Sequence, residues 1–413
     1  MSYKSYDIII IGSGMAGLYS AYNIKKTSPT TSFLILEKYK KNWIGGRTSN
    51  DSFYGTEIVT GAGIGRKAKD KLLFNLLKEF DLDRHEYSIT PKFSEFVQRV
   101  NINKIVEKLK SEFHKYKGPS ITFKEFAKHI LGEKTYKLFL IELGYTDFEN
   151  EDAFETLYYY GLEDNYRSFK AFYVPWRLMV HKLAHYIGES HFKFSNNVTK
   201  IDKIQKNQCS FLIETDNGNK YACNRVIVAT TITSLRTLFP KNPIYNDIEG
   251  QPFLRLYGKF SKKSIPIMKQ YIKGYTIIPG PLQKIIPINE DKGIYMIAYN
   301  DNNNTIALKK HLENTKENRE LYCIIIEKSL GIPIGSLQLA AIKEYYWPLG
   351  THYYKPLNTK IYHNRDEFIE KAQHPEEGIL VVGEVVSNNQ GWTEGALNSV
   401  KDVLTKKWIK TEC

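Results

Sequence analysis

One stretch near the N terminus limits the folds that this chain of 413 residues can adopt. Residues 6–11 form a short apolar, β-branched run, which is the pattern of a buried parallel strand. The glycine-rich loop 12–17 (GSGMAG) follows it and continues into a helical pattern over residues 18–26. A second strand pattern, residues 32–36, ends at Glu37. This order of strand, glycine loop, helix, strand and acid predicts a dinucleotide-binding βαβ unit.

Each glycine of the loop has a separate physical task in such a unit. Gly12 permits the tight turn, Gly14 lets the backbone approach a pyrophosphate, and Gly17 lets the helix pack closely on the strand. The N terminus of the helix offers unpaired N–H groups to the phosphates, and Glu37 can accept hydrogen bonds from a ribose diol. The pattern alone does not separate FAD from NAD. The predicted nucleotide-binding residues of this unit are Gly12, Gly14, Ala16, Gly17, Glu37 and Lys38.

Two later segments favour FAD. Residues 45–47 (GGR) follow a short basic linker; paired glycines let a backbone pass close to a ligand, and an arginine can bind a phosphate. Near the C terminus, Gly383 and Glu384 follow a strand pattern, and residues 391–396 (GWTEGA) lead into a helix. The N terminus of that helix can face the pyrimidine ring or the ribityl chain of a flavin.

Together these segments resemble the flavin-containing amine oxidase family, which includes monoamine and polyamine oxidases and L-amino-acid oxidases. The resemblance extends over nearly the whole chain; its ends match in order and spacing, and its helical middle matches in character only. The segments that carry it are 12–17 with Glu37, 45–47, 61–62, 198–201 with 225–230, 347–354, 383–384 and 391–396.

The resemblance implies an α/β fold with two domains. One is a Rossmann-type FAD-binding domain of the glutathione-reductase kind, and the other is an inserted α+β substrate domain of mixed sheet and helices. The FAD-binding domain would comprise residues 1–70, 190–247 and 345–413, and the substrate-binding domain residues 71–189 and 248–344.

The resemblance also implies which residues hold the cofactor. Val198 corresponds to a residue whose backbone contacts the adenine, Glu384 corresponds to a ligand of the ribityl chain, and Gly61 and Ala62 would lie near the flavin. The further cofactor residues implied in this way are Gly46, Arg47, Gly61, Ala62, Val198, Gly383, Glu384, Trp392, Thr393 and Ala396.

In this family two aromatic rings stand in front of the flavin and flank the substrate amine. The resemblance assigns these rings to Tyr353 and Trp392, and such a pair also favours a cationic or amine head group. The chain contains 29 tyrosines, so ordinary core packing is the alternative explanation for these rings.

The chain departs from the family at three places. Monoamine oxidases attach the flavin through a cysteine just before the first ring; His352 stands there, so we expect noncovalent FAD, with a histidyl link as the alternative. A lysine that holds a water near flavin N5 is replaced by Arg255, the third predicted catalytic residue, and arginine does not titrate. Residues 175–176 (PW) replace a glycine pair, which would narrow the substrate cavity.

The implied reaction removes a hydride from a carbon that bears an amine and delivers it to flavin N5. O2 then reoxidises the flavin and gives H2O2. The alternatives are a flavin desaturase or protoporphyrinogen-oxidase-like enzyme, a non-catalytic FAD-binding structural or virion protein, and a nucleic-acid binder.

The substrate is a small-molecule amine whose identity the pattern leaves open. A polyamine would favour carboxylates, and residues 149–164 contain six of them. A solvated helix face is the alternative reading of that stretch. An amino acid would favour an arginine, for which Arg66, Arg177 and Arg255 are candidates.

Composition bounds the partners. The net charge of +13 is spread along the chain without a zinc finger, an RNA-recognition signature or a basic helix, so no specific nucleic acid is predicted. No apolar run reaches 18 residues and no signal peptide is evident, so we expect a cytoplasmic protein without a membrane anchor. The four cysteines lack metal-type spacing, and no metal is expected. The oligomeric state is left open.

Several local patterns complete the prediction. Residues 69–187 are mostly helical, and residues 210–215 and 220–223 form a hairpin that precedes a separate strand, 225–229. Residues 300–305 read as a solvent-exposed polar loop.

Overall fold

The computed structural model describes residues 3–204 and 210–410, so Cys209 and Cys413 lie outside the described residues. The described strands are β1 (Lys4–Ile11), β2 (Phe33–Leu36), β3 (Asn50–Phe53), β4 (Thr56–Val59), β5 (Gly65–Arg66), β6 (Glu86–Ile89), β7 (Lys92–Phe93), β8 (Phe169–Phe172), β9 (Phe192–Lys193), β10 (Val198–Lys203), β11 (Phe211–Thr215), β12 (Lys220–Val228), β13 (Ile248–Phe260), β14 (Thr276–Ile277), β15 (Lys284–Asn289), β16 (Ile294–Asp301), β17 (Leu339–Tyr354) and β18 (Ile379–Val381).

The described α-helices are α1 (Met15–Thr27), α2 (Lys71–Glu79), α3 (Ile102–Lys115), α4 (Phe123–Leu131), α5 (Glu133–Leu143), α6 (Ala153–Tyr158), α7 (Glu163–Tyr166), α8 (Trp176–Ile187), α9 (Ile232–Leu238), α10 (Ile265–Tyr271), α11 (Asn302–Leu308), α12 (Lys316–Leu330), α13 (Arg365–Gln373), α14 (Thr393–Val403) and α15 (Lys406–Lys410). Among the helices of these ranges, none combines the length and the apolar character needed to cross a bilayer.

A seven-stranded sheet contains the N-terminal βαβ unit. Its order is β10-β11-β12-β1-β2-β9, with β18 paired to β12. β1 lies parallel to both β2 and β12. The predicted hairpin is present between β11 and β12, but β12 continues through the separately predicted strand, because β1 pairs with it from Tyr221 to Val228.

Both faces of this sheet are covered. Ile8 and Ile10 of β1 pack in one core with α1, α8 and α14, and the alternate residues Ile9 and Ile11 pack in a second core on the opposite face. This alternation explains why β1 is a continuous apolar run, since a parallel strand is buried on both sides. The arrangement confirms the predicted α/β architecture, with β1, α1 and β2 forming the βαβ unit.

A second, six-stranded sheet has the order β17-β13-β16-β15-β14-β7. Its strands are antiparallel except for the pair of β14 and β7. α10 and α12 contribute to a core on this sheet, and α3 to α6 form a separate helical core. The sequence-based boundary between residues 344 and 345 falls inside β17, which is continuous over 16 residues.

The prediction of an exposed polar loop at residues 300–305 is wrong. Asn300 and Thr305 are fully buried, and Asp301 is 1% exposed. Asp301 accepts a hydrogen bond from the backbone N–H of Thr146 at 3.0 Å, and Asn300 donates to the carbonyl oxygen of Pro281 at 2.6 Å. The polar side chains are internal because they satisfy the backbone groups of neighbouring segments, which a local pattern cannot reveal.

Candidate functional site

One cavity of about 1060 Å³ is lined by residues from both sheets. Pockets for small molecules usually enclose about 300–1000 Å³, so this volume suits a large ligand with a second one beside it. The predicted site residues that line it are Gly12, Gly14, Ala16, Glu37, Lys38, Gly46, Arg47, Gly61, Ala62, Val198, Arg255, Gly383, Glu384, Trp392, Thr393 and Ala396. Gly17 and Tyr353 are not among the lining residues.

The glycine loop between β1 and α1 is tightly packed except on the side of the cavity. A Cβ atom at Gly12, whose φ is +102°, would lie 2.3 Å from the carbonyl oxygen of Ala229. A Cβ atom at Gly17 would lie 2.0 Å from the carbonyl oxygen of Gly12. At Gly14 a Cβ atom would meet no atom within 4 Å. Packing therefore requires glycine at positions 12 and 17, whereas the space beside Gly14 is open to a ligand.

The N terminus of α1 is suited to an anion. Gly14 is the N-cap residue and provides no side-chain cap, and the first turn carries no acidic residue. The first N–H groups of a helix lack intrahelical partners and carry partial positive charge. A phosphate at this position would therefore be stabilised by the backbone alone.

Glu37 lies at the end of β2 on the wall of the cavity. Its Oε2 atom accepts hydrogen bonds from the backbone N–H and the hydroxyl of Ser13, at 2.8 and 2.7 Å. Its Oε1 atom accepts from the backbone N–H of Tyr39 at 2.9 Å. A carboxylate has about four lone-pair positions, so Glu37 is oriented by the protein and keeps acceptor capacity. The bonds to Ser13 had no signal in the sequence.

Glu384 is the centre of a buried charge cluster. Its Oε1 atom accepts hydrogen bonds from Arg47 at 2.7 Å and from His352 Nδ1 at 2.5 Å, and its Oε2 atom accepts from the backbone N–H of Gly391 at 2.9 Å. The Nε2 atom of His352 accepts from the backbone N–H of Ile232 at 3.3 Å. Burial alone would raise the pKa of Glu384, but His352 and Arg47 hold that pKa well below its usual range.

The segment around Gly61 is fixed against Arg47. A Cβ atom at Gly61 would lie 2.2 Å from the carbonyl oxygen of Arg47, and the backbone N–H of Ala62 donates to the same oxygen at 2.8 Å. Gly46 has a positive φ of 59°. A Cβ atom added to Gly46 would lie 3.7 Å from the Cα atom of Gly14. Three separate loops thus meet at the cavity wall through backbone contacts.

Trp392 lines the cavity and is held on two sides. Its indole N–H donates to Asp70 Oδ1 at 2.7 Å, and the guanidinium group of Arg66 lies 3.9 Å from its ring centroid. Arg66 also forms an ion pair with Asp164 at 2.6 Å. Burial raises the pKa of Asp70 to about 6. Hydrogen bonds from the backbone of Arg66 and from Trp392 oppose this rise but do not cancel it. The ring of Trp392 is therefore already in contact with a cation of the protein.

Of the two predicted rings, Trp392 lines the cavity, whereas Tyr353 is not among the lining residues. Tyr353 lies opposite Glu249 of β13, beyond a register shift between Gln251 and Phe253. The preceding residue, His352, is directed at Glu384 instead. Spacing along the sequence could not reveal this shift, in which β17 places three residues opposite one residue of β13.

Arg255 reaches the cavity from β13 and is 4% exposed. Its Nε atom donates to the carbonyl oxygen of Gly61 at 2.6 Å, and its Nη1 atom lies 3.4 Å from Met296 Sδ. Its guanidinium carbon is 4.3 Å from the ring centroid of Tyr299. Among the residues that the structure describes, Arg255 forms no ion pair with a carboxylate.

Lys284 is a buried lysine that sequence reasoning missed. Its Nζ atom lies 3.1 Å from the ring centroid of Tyr145 and 4.3 Å from that of Tyr299, and it has no hydrogen-bond partner in the described part of the chain. Burial lowers the pKa of Lys284 to about 7, although Asp301 and Asp147 oppose this shift. Tyr145 and Tyr299 line the cavity. No motif marks these residues, because they come from separate segments.

Trp176, at the start of α8, takes the place of the family's glycine pair together with Pro175. Its side chain lines the cavity and donates from Nε1 to the carbonyl oxygen of Gly63 at 2.7 Å. It is 1% exposed. A large ring thus occupies space at the cavity wall.

The acidic stretch at residues 149–164 is mostly internal. Arg365 forms ion pairs with Asp152 at 3.2 Å and with Glu155 at 3.0 Å, and both acids are buried. Glu151 accepts from the hydroxyl of Thr156 at 2.7 Å. Only Asp164 of the six acids lines the cavity. Four of the six acids, Glu149, Glu151, Asp152 and Glu155, are thus buried rather than on a solvated helix face.

Comparison with solved structures places this architecture among known folds. The chain is similar to a triple mutant and a double mutant of putrescine oxidase, a flavin amine oxidase, from work on the redesign of cofactor binding. Each has a TM-score of 0.73 and 14% identity over 97% of this chain, and the match covers 99% and 98% of the respective mutant chain. No protein-family model and no curated protein sequence matches the chain. The predicted resemblance to flavin-containing amine oxidases is thus confirmed as a likeness of fold.

Proposed function

We propose that this chain is an FAD-dependent oxidoreductase that oxidises a small-molecule amine. The observation that carries the proposal is a single cavity that is lined at one end by the glycine loop and at the other by the aromatic side chains of the second sheet. The likeness of fold to putrescine oxidase over nearly the whole chain supports it. A cofactor at the loop and a substrate at the rings would be adjacent.

The residues at the loop end fit FAD. The open space beside Gly14 and the uncapped N terminus of α1 suit the pyrophosphate, and Glu37 keeps acceptor capacity for a ribose. The negatively charged Glu384, fixed by Arg47 and His352, can accept hydrogen bonds from the ribityl hydroxyls. We propose the predicted cavity-lining residues as the FAD site, and residues 1–70, 190–247 and 345–413 as the FAD-binding domain.

The surroundings of His352 support noncovalent binding. Both of its ring nitrogens have protein partners, and its side chain is fully buried behind Glu384. The described cysteines, Cys223 and Cys323, are buried and do not line the cavity. His352, Cys223 and Cys323 therefore offer no attachment point from the cavity wall.

When bound, FAD would supply the two-electron acceptor for a hydride from the amine carbon, and O2 would take up the electrons to give H2O2. The chain's own residues would bind and orient the amine and exclude water. Trp392 and Arg255 are the proposed contacts from two sides of the cavity. Residues 71–189 and 248–344 would form the substrate-binding domain.

The first experiment is a visible absorption spectrum of the purified protein, repeated on the supernatant after acid precipitation. We expect flavin bands that move into the supernatant, followed by peroxide formation with at least one amine of a panel. Flavin bands that stay in the pellet would contradict noncovalent binding. A colourless protein that does not take up added FAD would contradict the proposal as a whole.

Gly14→Glu tests the cofactor position. The backbone at Gly14 has a φ of −70° and open space beside it, so the variant should fold. Its carboxylate would occupy the phosphate position and repel the cofactor, and we expect FAD binding to weaken by about a hundredfold or more. Gln98→Glu, which adds the same charge on the exposed surface, is the control. Unchanged FAD titrations of Gly14→Glu would place the cofactor elsewhere.

A flavin desaturase or protoporphyrinogen-oxidase-like enzyme is the second candidate. The position of Tyr353 outside the cavity favours it, because such an enzyme needs no pair of rings around an amine. Turnover of a larger apolar substrate, with no peroxide from any amine, would support this candidate over the first.

A further inference from the structure

We infer that the substrate end of the cavity binds a carboxylate, so that the amine oxidised under the proposed function carries an acidic group. The amine oxidation itself rests on the proposed function. The carboxylate of the substrate is inferred from the charges of the cavity wall. It separates this chain from its structural neighbours, whose name refers to a diamine.

The first observation is that the rings of the wall already contact cations of the protein. Arg66 lies over Trp392 at 3.9 Å, and Lys284 lies over Tyr145 at 3.1 Å. Arg255 lies 4.3 Å from the ring centroid of Tyr299. A cationic head group binds to the free face of an aromatic ring. At these rings one face is already used, and at Tyr299 the unpaired charge of Arg255 would repel a second cation.

The second observation is that the positive charge of Arg255 is not neutralised. Its donors reach a backbone carbonyl oxygen and a thioether, and no described carboxylate pairs with it. A buried, unpaired charge is costly, and a guanidinium group binds a carboxylate through two parallel hydrogen bonds. A substrate carboxylate would therefore supply the counter-charge that the protein omits.

The third observation concerns the acids at the substrate end. Asp164 is paired with Arg66 at 2.6 Å and with Lys69 at 2.5 Å, and Glu57 accepts from the hydroxyl of Tyr173 at 2.6 Å. Asp164 is thus neutralised by cations of the protein, whereas Glu57 is exposed and keeps acceptor capacity. A diamine needs an acidic partner for its distal ammonium group, and of these two acids only Glu57 is free to serve.

The fourth observation concerns the exposed part of the cavity wall. Lys92 and Lys273 line the cavity, are exposed to solvent, and form no ion pair within the described ranges. With the exposed Lys38 they outnumber Glu57, the exposed acid of the same wall, and an excess of one sign of charge raises the local concentration of oppositely charged ligands. These lysines would attract an anionic substrate and repel a polyamine.

The test uses pairs of amines that differ only by the carboxylate. The pairs are racemic ornithine and 1,4-diaminobutane, phenylalanine and 2-phenylethylamine, and leucine and 3-methylbutylamine, assayed for peroxide with the FAD-loaded protein. We expect kcat/KM to be at least about tenfold higher for the amino acid in the pair that turns over best. Equal or better turnover of the decarboxylated amines would overturn the inference and leave the proposed function intact.

Variants assign the effect to the arginine. Arg255→Gln should remove most of the preference for the amino acid, because glutamine keeps donors and loses the charge. Arg177→Gln should keep it, since Arg177 is exposed on α8 and does not line the cavity. A preference that survives in Arg255→Gln would overturn the assignment of the carboxylate to this side chain.

A binding readout separates failure of the inference from failure of the proposed function. Benzoate and benzylamine are titrated against the flavin absorbance of the FAD-loaded protein. If no amine is oxidised, the proposed function fails. Benzoate binding that weakens about tenfold or more in Arg255→Gln would still support the carboxylate site. Preferential binding of benzylamine, or no response to benzoate, would overturn it.

Discussion

The two ends of the cavity are built in different ways. The loop end is formed largely by backbone: the glycine loop, the N terminus of α1 and the contacts of Gly61 with Arg47. The substrate end is formed by side chains from separate segments, such as Tyr145, Arg255 and Tyr299. Backbone recognition needs particular residue types at particular spacings and leaves a motif. Recognition by side chains leaves no sequence motif, because a contacting side chain can come from any segment that ends at the right place.

The largest expected effect tests whether each glycine of the loop is required by close packing or by the space that a ligand needs. Gly17→Ala places a Cβ atom 2.0 Å from a carbonyl oxygen, and we expect it to lower the free energy of unfolding by more than about 3 kcal/mol. Gly14→Ala should change it by no more than about 1 kcal/mol. Denaturant unfolding at one fixed FAD concentration measures both. Equal stabilities would show that the close contact relaxes without cost.

The next effect tests the charge cluster at the loop end. In Glu384→Gln the neutral amide loses the attraction of Arg47 and His352, and we expect a loss of about 2–3 kcal/mol at pH 7. The pKa of Glu384 lies below its unfolded value of 4.5, so its contribution is present above that pH and is lost as the pH falls.

The measurement is the free energy of unfolding between pH 7 and 3, with the exposed Glu377→Gln as the control. The difference between the wild type and Glu384→Gln should shrink as the pH falls below 4.5. A difference that is constant over this range would show that the charge of Glu384 does not stabilise the fold.

A smaller effect tests the substrate end, where the charged form of Lys284 is expected to destabilise the fold. Burial lowers the pKa of Lys284 to about 7 from 10.5, so the unfolded chain binds one more proton between these values, and stability rises with pH across that window. We expect a rise of about 1 kcal/mol between pH 7 and 8 that is missing in Lys284→Met. The exposed Lys328→Met is the control. The same rise in all three proteins would mean that Lys284 does not titrate there.

The smallest expected effect concerns the predicted ring pair. Tyr353→Phe removes a hydroxyl outside the cavity, and we expect amine turnover to stay within about twofold of the wild type. Trp392→Phe removes the hydrogen bond to Asp70 and should lower kcat/KM by about tenfold. Steady-state peroxide assays measure both variants. A large loss in Tyr353→Phe alone would restore the predicted ring to the site.

The sequence was informative about those parts of the site in which a single local segment supplies several of the lining residues. Gly12, Gly14 and Glu37 lie on the predicted elements of the βαβ unit. It was wrong for residues 300–305, since Asn300 and Asp301 are buried by hydrogen bonds to distant segments. Polar composition predicts exposure only where no other part of the chain needs those polar groups.

By itself, then, the sequence determined the βαβ unit with its glycine loop, because strand, turn and helix patterns act over a few residues and only glycine satisfies the close contacts. The tertiary structure decided the substrate end. β17 holds the extra residues of a register shift against β13, and beyond this shift His352 contacts Glu384 while Tyr353 is not among the residues that line the cavity. The pairing of β13 with β16 sets Arg255 beside Tyr299. These outcomes depend on strand register between distant segments, where a shift of one residue turns each side chain to the opposite face.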